Sequence, residues 1–311
     1  MPTVPFRQLP FANVPDLPTV AHPWAATTPA DVTIDTADLG PTKIAVRAYG
    51  PKDAPPLVLV HGLMTAGYSF RYVLDLLGRT HRLLIPDLPG AGRSDHPDTY
   101  LGPDVLARAV IATIDALGVR GAPVIGNSMG GYLCMRAALL DPAAIGRLVN
   151  LHSPGIPTAR MTALWWALRL LPGRFIVDRL VRRNPERWVH ENVHYWDESL
   201  KSREEHREYA TPLSHVAGRR AFHRHLHDAL DVRQMKRFVA TLGTTEFPLP
   251  LLLLVYAKRD PMVPPIVGEK LHALVPRAQI TWLDEASHFA HVDAAERFVA
   301  AIAPFLAAGG A

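Results

Sequence analysis

The sequence predicts an α/β fold, a mostly parallel sheet with helices on both faces and an inserted helical cap, and three observations carry that prediction. Short, unbroken apolar runs suited to strands buried on both faces alternate with segments of helical periodicity. The run Ala122-Pro123-Val124-Ile125-Gly126-Asn127 stops at Ser128 and an Ala- and Leu-rich segment takes over, which is the pattern of strand, tight turn and helix. The sheet pattern is missing over residues 156–244, where helical segments simply follow one another. The expected layout is an extended N-terminal arm over residues 1–30, a core built from 31–155 and 245–311, and a helical cap over 156–244.

A chain of 311 residues, 48% hydrophobic and 20% charged, is long enough for one large domain carrying an insertion. The formal charge of +4 comes from scattered arginines and not from a basic tail, so no nucleic-acid partner is expected. The single cysteine, Cys134, rules out a disulfide framework and reads as a small buried residue of the helix after Ser128. Pro5, Pro10, Pro15, Pro18, Pro23 and Pro29 punctuate the first thirty residues without helical or alternating pattern, the signature of an extended arm on the surface. A basic start followed by an apolar core, as in a secretory signal, is missing. No stretch reaches the roughly 20 apolar residues of a membrane span. A cytoplasmic protein without stable membrane insertion is the expectation.

In chain order, residues 31–46 hold two polar-alternating runs that read as an antiparallel pair. Pro56-Leu57-Val58-Leu59-Val60 is a buried strand ending in His61-Gly62-Leu63-Met64, and residues 69–77 read as a helix. Arg82-Leu83-Leu84-Ile85 is a second strand, followed by the loop from Asp87 to Asp95, and residues 106–117 are helical. The strand into Ser128, a helix to Leu140 and the strand Leu148-Val149-Asn150-Leu151 come next. Helices are then expected over 158–171, 174–183, 186–196, 198–209 and 213–238, with a break near Leu230. The core resumes with a strand over 250–256, a loop holding Asp260, the strand Gln279-Ile280-Thr281-Trp282-Leu283, a loop holding His288, and a final helix from about Ala294.

The turn at Ser128 is the first functional signal. A serine there sits on strained backbone, and the residues two before and two after it must lack side chains for strand and helix to approach, a need that Gly126 and Gly130 meet. The helix that follows brings unpaired N–H groups and a positive end to the serine oxygen. Ser128 is therefore the candidate nucleophile.

The order of these parts resembles the α/β-hydrolase superfamily, specifically its capped serine hydrolases, over about residues 42–155 and 245–308. His61-Gly62, the segment from Asp87 to Gly90 with Gly92, and Gly126-Asn127-Ser128-Met129-Gly130-Gly131 carry the resemblance, and all three loops belong at the carboxyl ends of strands, where such sheets bind ligands. The resemblance implies an oxyanion hole from the backbone N–H groups of Leu63 and Met129. A serine needs a base and the base an orienting carboxylate, and the order Ser128, Asp260, His288 is the one this fold uses.

His291, three residues past His288, is expected to support the site without acting in it, because the resembling family uses the histidine directly before the aromatic. His61 reads as a brace of its loop. Asp284 and Asp293 read as local caps or surface charges, and Asp87 and Asp95 as loop-forming. In the cap, His190-Glu191-Asn192-Val193-His194 matches H-E-x-x-H on an expected helix, a pattern in which histidines one turn apart hold zinc. The extended form is missing, since Asp197 and Leu200 stand where its glycine and third histidine would be. His223, His225 and His227 read as a solvated helix face.

The expected function is that of a serine hydrolase, using neither cofactor nor metal, acting on small to medium apolar esters or lactones. Hydrolysis of carbon–carbon bonds in dienoate ring-cleavage products is the alternative, because the family's enzymes of that kind have a similar nucleophile turn. Against it, the loop His61-Gly62-Leu63-Met64 lacks their Gly-Pro-Gly and Phe289 replaces their tryptophan. Zinc-dependent hydrolysis and a non-catalytic receptor rank behind both. Met161, Leu164, Trp165 and Leu168 share one helical face, and Trp165, Trp166 and Met64 are the expected wall of the substrate pocket.

Overall fold

The computed structural model describes residues 5–170, 172–248 and 251–307; the expected helix end at 171 and strand start at 250 lie outside them. The strands are β1 (Thr28–Pro29), β2 (Val32–Thr36), β3 (Gly40–Ile44), β4 (Val46–Tyr49), β5 (Pro56–Val60), β6 (Arg82–Pro86), β7 (Pro123–Asn127), β8 (Arg147–Leu151), β9 (Leu252–Ala257) and β10 (Gln279–Leu283). Eight of them form one sheet in the order β1-β4-β6-β5-β7-β8-β9-β10, while β2 and β3 make the expected antiparallel hairpin. From β6 to β10 every pairing is parallel, and only β4 runs the other way, pairing antiparallel with both β6 and the edge strand β1.

Successive residues of a strand point to opposite faces, and here both faces are covered, which explains the unbroken apolar runs. Val58, Val60, Leu84, Val124, Leu148 and Leu254 join one core with α2 (Pro103–Ala116), α3 (Met129–Leu140), α9 (Val232–Thr244) and α10 (Pro265–Leu274). Leu57, Leu59, Ile85, Ile125, Val149 and Val255 join the other with α1 (Leu74–Gly78), α11 (Ala290–Asp293) and α12 (Ala295–Ala307).

Between β8 and β9 lie α4 (Ala159–Leu170), α5 (Gly173–Arg183), α6 (Pro185–Asn192), α7 (Arg203–Ala210), α8 (Val216–Arg224) and α9. Four helices differ from expectation; the one expected over 198–209 is a 3₁₀ turn, Glu198–Leu200, followed after a break by α7. The segment over 69–77 is a 3₁₀ turn, Gly67–Phe70, followed by the short α1. Its backbone is diverted because Gly67 donates to Asp87 (2.7 Å) while Arg71 turns inward, fully buried, to pair with Glu205 of α7. The helix expected to reach residue 196 stops at Asn192, and Val193 is extended. Leaving the helix lets Tyr195 O–H donate to Glu205 (2.7 Å) and Trp196 N–H to Asp293 (2.7 Å), ties that a continued helix would forgo. After α8 the chain widens into a π-helical turn, His225–Ala229, before Asp231 caps α9. Among the described residues no helix is long and apolar enough to cross a membrane.

The arm does not run freely over the surface; it docks on the helical insertion. Phe6 N–H donates to Trp196 O (3.1 Å), and Pro15 O and Asp16 O accept the N–H groups of Arg203 and Glu204 at the start of α7 (2.8 and 3.0 Å). Phe11 stacks on His206, and the Arg203 guanidinium lies over the Phe11 ring at 3.5 Å.

Two outcomes follow for stability. Glu205→Ala leaves Arg71 charged and buried without its partner, and chemical denaturation is expected to show a loss of about 3–5 kcal/mol. Asp293 sits half-buried between Trp196 N–H and Ser287 N–H, and loss of water around it, only partly offset by those donors, pushes its carboxyl up to about 6 from 3.8. The folded protein therefore keeps a proton there that the unfolded chain has released, so Asp293 subtracts stability as pH rises through that window. The stability of Asp293→Asn relative to the parent is expected to improve by up to about 3 kcal/mol between pH ~4 and ~7, read from denaturation midpoints at each pH.

Candidate active site

The turn after β7 is as strained as its sequence implies. Ser128 has φ +52° and ψ −122°, a conformation that costs a non-glycine residue on the order of 1–3 kcal/mol and persists only where the surroundings enforce it. Ser128 N–H donates to Leu151 O of β8 (2.7 Å), and its own carbonyl receives Tyr132 N–H of α3 (3.1 Å). A Cβ on Gly126 would lie 2.7 Å from Gly131 Cα, and one on Gly130 would overlap the carbonyl oxygen of Val60. The two glycines thus serve different approaches: one brings β7 to its own helix, the other brings that helix onto β5.

The loop after β5 passes directly against the serine, since a Cβ at Gly62 would sit 3.0 Å from Ser128 Cβ. Leu63 and Met64 follow, half-buried, with Met64 in the left-handed region (φ +62°). His61, fully buried, holds this loop: Nδ1 donates to Gly62 O (2.8 Å), and Nε2 accepts Leu88 N–H (2.9 Å). Burial pushes its imidazole down to about 4, so it stays neutral. Met129, the first residue of α3, is buried beneath Ser128, and a first-turn amide has no partner within its own helix.

Asp260 and His288 meet three residues beyond β9 and five beyond β10. His288 Nδ1 donates to Asp260 Oδ2 at 2.6 Å, and both side chains are buried. The other carboxylate oxygen, Oδ1, accepts the N–H groups of Met262 (2.7 Å) and Val263 (2.9 Å), which fix its plane. Burial works to raise the Asp260 carboxyl, but the His288 contact outweighs it and holds the group below the usual range. With Nδ1 committed to Asp260, Nε2 is the nitrogen of His288 left to act as a base. The His288 carbonyl accepts Asn127 Nδ2–H (3.1 Å), tying this loop to the strand that carries Ser128.

The other titratable candidates have different work. Asp284 is exposed and pairs with Lys258 (3.0 Å). Asp87 accepts Gly67 N–H and Arg93 N–H, and Asp95 accepts Lys43 N–H, so both organise loops. Asp293 is not a free surface charge but a half-buried clasp between the insertion and the His288 loop. His291 is fully buried against Phe70 (ring centroids 4.8 Å), and burial holds its imidazole well below its ordinary value. Cys134 is buried.

The H-E-x-x-H pattern loses its geometry because α6 ends before His194. His190 Nε2 meets Leu9 O of the arm (2.9 Å), and His194 Nδ1 lies 3.3 Å from Glu198. His225 is likewise not on a solvated face: it is buried, with Nε2 on Pro89 O (2.8 Å).

Met64 lines a small cavity of about 20 Å³ with Thr65, Tyr209, Leu213, Phe222 and His225, between the loop after β5 and the insertion. Trp165 and Trp166 are not brought to it. The Trp165 indole N–H donates to His227 O (2.8 Å) and Arg233 covers its ring at 4.9 Å, while Trp166 is 42% exposed. Alpha4 packs on the π-helical turn and α9, and that packing uses the Trp165 face. Larger hollows of about 570 and 290 Å³ lie by α12 and by the start of β9, and none of these three cavities is lined by Ser128, Asp260 or His288 themselves.

Sequence reasoning missed His152, which is fully buried, takes φ +54° and lies with its ring centroid 5.5 Å from that of His288. Its position directly after an apolar run, at the carboxyl end of a strand, was the available signal.

Known proteins with this arrangement are numerous. A 2-hydroxymuconate semialdehyde hydrolase of Pseudomonas sp. is 26% identical over 263 residues, 81% of this chain and 87% of that protein. An sn-1-specific diacylglycerol lipase of Xenopus laevis is 25% identical over 81% of this chain and 80% of its own. A thermophilic esterase from Thermogutta terrifontis superposes with a TM-score of 0.68 at 20% identity, covering 90% of this chain and 98% of that one, a likeness of fold. The pattern of the Alpha/beta hydrolase family matches residues 57–301, from β5 into α12, and the chain belongs to that family of hydrolases.

Proposed function

We propose that this hydrolase cleaves carboxylic esters or lactones of small to medium apolar substrates in the cytoplasm, through an acyl-enzyme on Ser128. The observation that carries the reading is the buried 2.6 Å Asp260–His288 pair, its loop tied by Asn127 to the strand that presents a strained Ser128.

His288 Nε2 takes the proton of Ser128 Oγ as the oxygen attacks the substrate carbonyl, and Asp260 stabilises the imidazolium and keeps Nδ1 protonated. The backbone N–H groups of Leu63 and Met129 receive the oxyanion; losing one such donor typically costs about 2.7–4 kcal/mol. The imidazolium returns its proton to the leaving alcohol, and water, activated by the same nitrogen, releases the acid. The insertion over 156–244 acts as the cap of this site, with Met64, Leu213 and Phe222 as its apolar lining.

Carbon–carbon hydrolysis of dienoate ring-cleavage products is the second reading, favoured by the relative named for 2-hydroxymuconate semialdehyde. The loop His61-Gly62-Leu63-Met64 and Phe289 after His288 weigh against it.

Labelling with a fluorophosphonate probe followed by peptide mapping is expected to give one adduct, on Ser128. Ser128→Ala and His288→Ala are each expected to lower ester kcat/KM by about 10⁴-fold or more, and Asp260→Asn nearly as much. Retained turnover in Ser128→Ala sinks the reading, and faster turnover of a dienoate than of any ester moves the substrate class to the second one.

The lining is tested with an acyl-chain series. Each methylene newly buried adds at most about 0.8 kcal/mol, so kcat/KM is expected to rise severalfold per carbon until the cavity is filled. Phe222→Ala should move the optimum toward longer chains, whereas Trp165→Ala should lower the melting temperature and leave the profile where it was. An optimum that moves with Trp165 and not with Phe222 places the lining elsewhere.

A further inference from the structure

His152 takes no part in the mechanism above, yet it stands between the two strand ends that supply it. Its backbone N–H donates to Val255 O (2.9 Å), and its ring Nε2 accepts Ala257 N–H (2.7 Å). The ring therefore carries the β8–β9 pairing one step past the last register pair, Leu151 with Val255, to the end of β9 three residues before Asp260. The residue before it, Leu151, accepts Ser128 N–H (2.7 Å). Two consecutive residues thus hold the nucleophile's backbone and the root of the Asp260 loop.

The ring also faces the triad. Ligand-type atoms of His152, Asp260 and His288 all lie within 4.8 Å of one another, and the two imidazoles are tilted by 35°. An imidazole nitrogen that accepts an N–H carries no proton, so a neutral His152 is protonated on Nδ1. That Nδ1 makes no close hydrogen bond, and the acceptor it faces is the backbone of His288. Burial pushes His152 down to about 3, with Asp260 pulling the other way and His288 adding to the fall. The ring stays uncharged while its neighbour gains and loses a proton.

We propose that His152 is a positioning residue for the triad described under Proposed function: its neutral, Nδ1-protonated ring fixes the end of β9 so that Asp260 meets His288, and it walls His288 without competing for the proton. It acts through Asp260 and His288 and touches no substrate. Small displacements of an oriented group are costly, about 10²-fold in rate per ångström. A left-handed backbone alone does not demand histidine, because asparagine adopts it as readily.

That last point separates positioning from backbone fit. Gln at this site carries an acceptor at about the reach of Nε2, whereas Asn suits the backbone but falls short. His152→Gln is expected to keep kcat within about threefold of the parent, and His152→Asn to lose about 30-fold or more with KM within about twofold. The low-field proton resonance of the His288–Asp260 hydrogen bond should persist in His152→Gln and shift or vanish in His152→Asn. Nitrogen-15 spectra of the parent should show His152 as the neutral Nδ1–H tautomer from pH ~5 to ~9. An Asn variant equal to or better than Gln with the resonance unmoved in both, or a His152 that is charged or protonated on Nε2, overturns the proposal. If fluorophosphonate fails to label Ser128 in the parent, the serine reading falls, while the tautomer and the low-field proton still decide the role of His152.

Discussion

One steric constraint governs the arrangement: three chain segments must approach Ser128 more closely than side chains permit. Gly126 lets β7 meet α3, Gly130 lets α3 meet β5, and Gly62 lets the next loop pass over the serine. The left-handed backbone at Ser128 is the result of that crowding, and it is held by Leu151 O on one side and the first turn of α3 on the other. Because β5, β7, β8, β9 and β10 run parallel, their carboxyl ends lie along one rim, and every residue given a chemical role stands on it.

What the sequence made legible follows from periodicity and from chain order. Strands such as Pro56–Val60 and Gln279–Leu283 are readable because two-sided burial leaves no polar position in the first and a clear boundary at each end of the second. Asp260 and His288 are readable because each follows such a strand. Helix ends in the insertion were less legible. A pattern search runs α6 on through His194, but Tyr195 and Trp196 have tertiary partners, Glu205 and Asp293, that reward leaving the helix. The same holds for Arg71, whose charge argues for the surface and whose partner lies 134 residues away. His152 is harder to read for a different reason: it follows a strand as Asp260 and His288 do, but the partner that gives it a role, Ala257 N–H, belongs to a neighbouring strand.

The insertion joins the core through more than apolar contact. Tyr68, Tyr195, Tyr209, Val193 and Phe289 form a shared apolar cluster, and within it Arg71, Glu205 and the Tyr195 hydroxyl make a buried polar knot. Apolar surfaces tolerate sliding; a buried ion pair does not, because displacement strands a charge. Within the insertion Lys201 and Glu198 form a second buried pair at 2.6 Å, and Lys201 also donates to His190 O (2.9 Å), holding α6 to the start of α7. The insertion is therefore fastened to the core in one register along its α6–α7 side, and the side formed by α4 and the π-helical turn lies apart from that fastening.

The docking of the arm has a consequence for how the chain reaches this state. Gln8 donates to His190 O, a partner 182 positions later, and Arg207 reaches back to Asp16 O across 191 positions. During synthesis the arm leaves the ribosome before α6 and α7 and waits, on the order of ten seconds or more, for them to be made. Contacts of such high sequence separation form late, after the loop they close has lost most of its freedom by other means. The arm, made well before its partners, is thus among the last segments to find its place, and it seals over the insertion once the sheet beneath it exists.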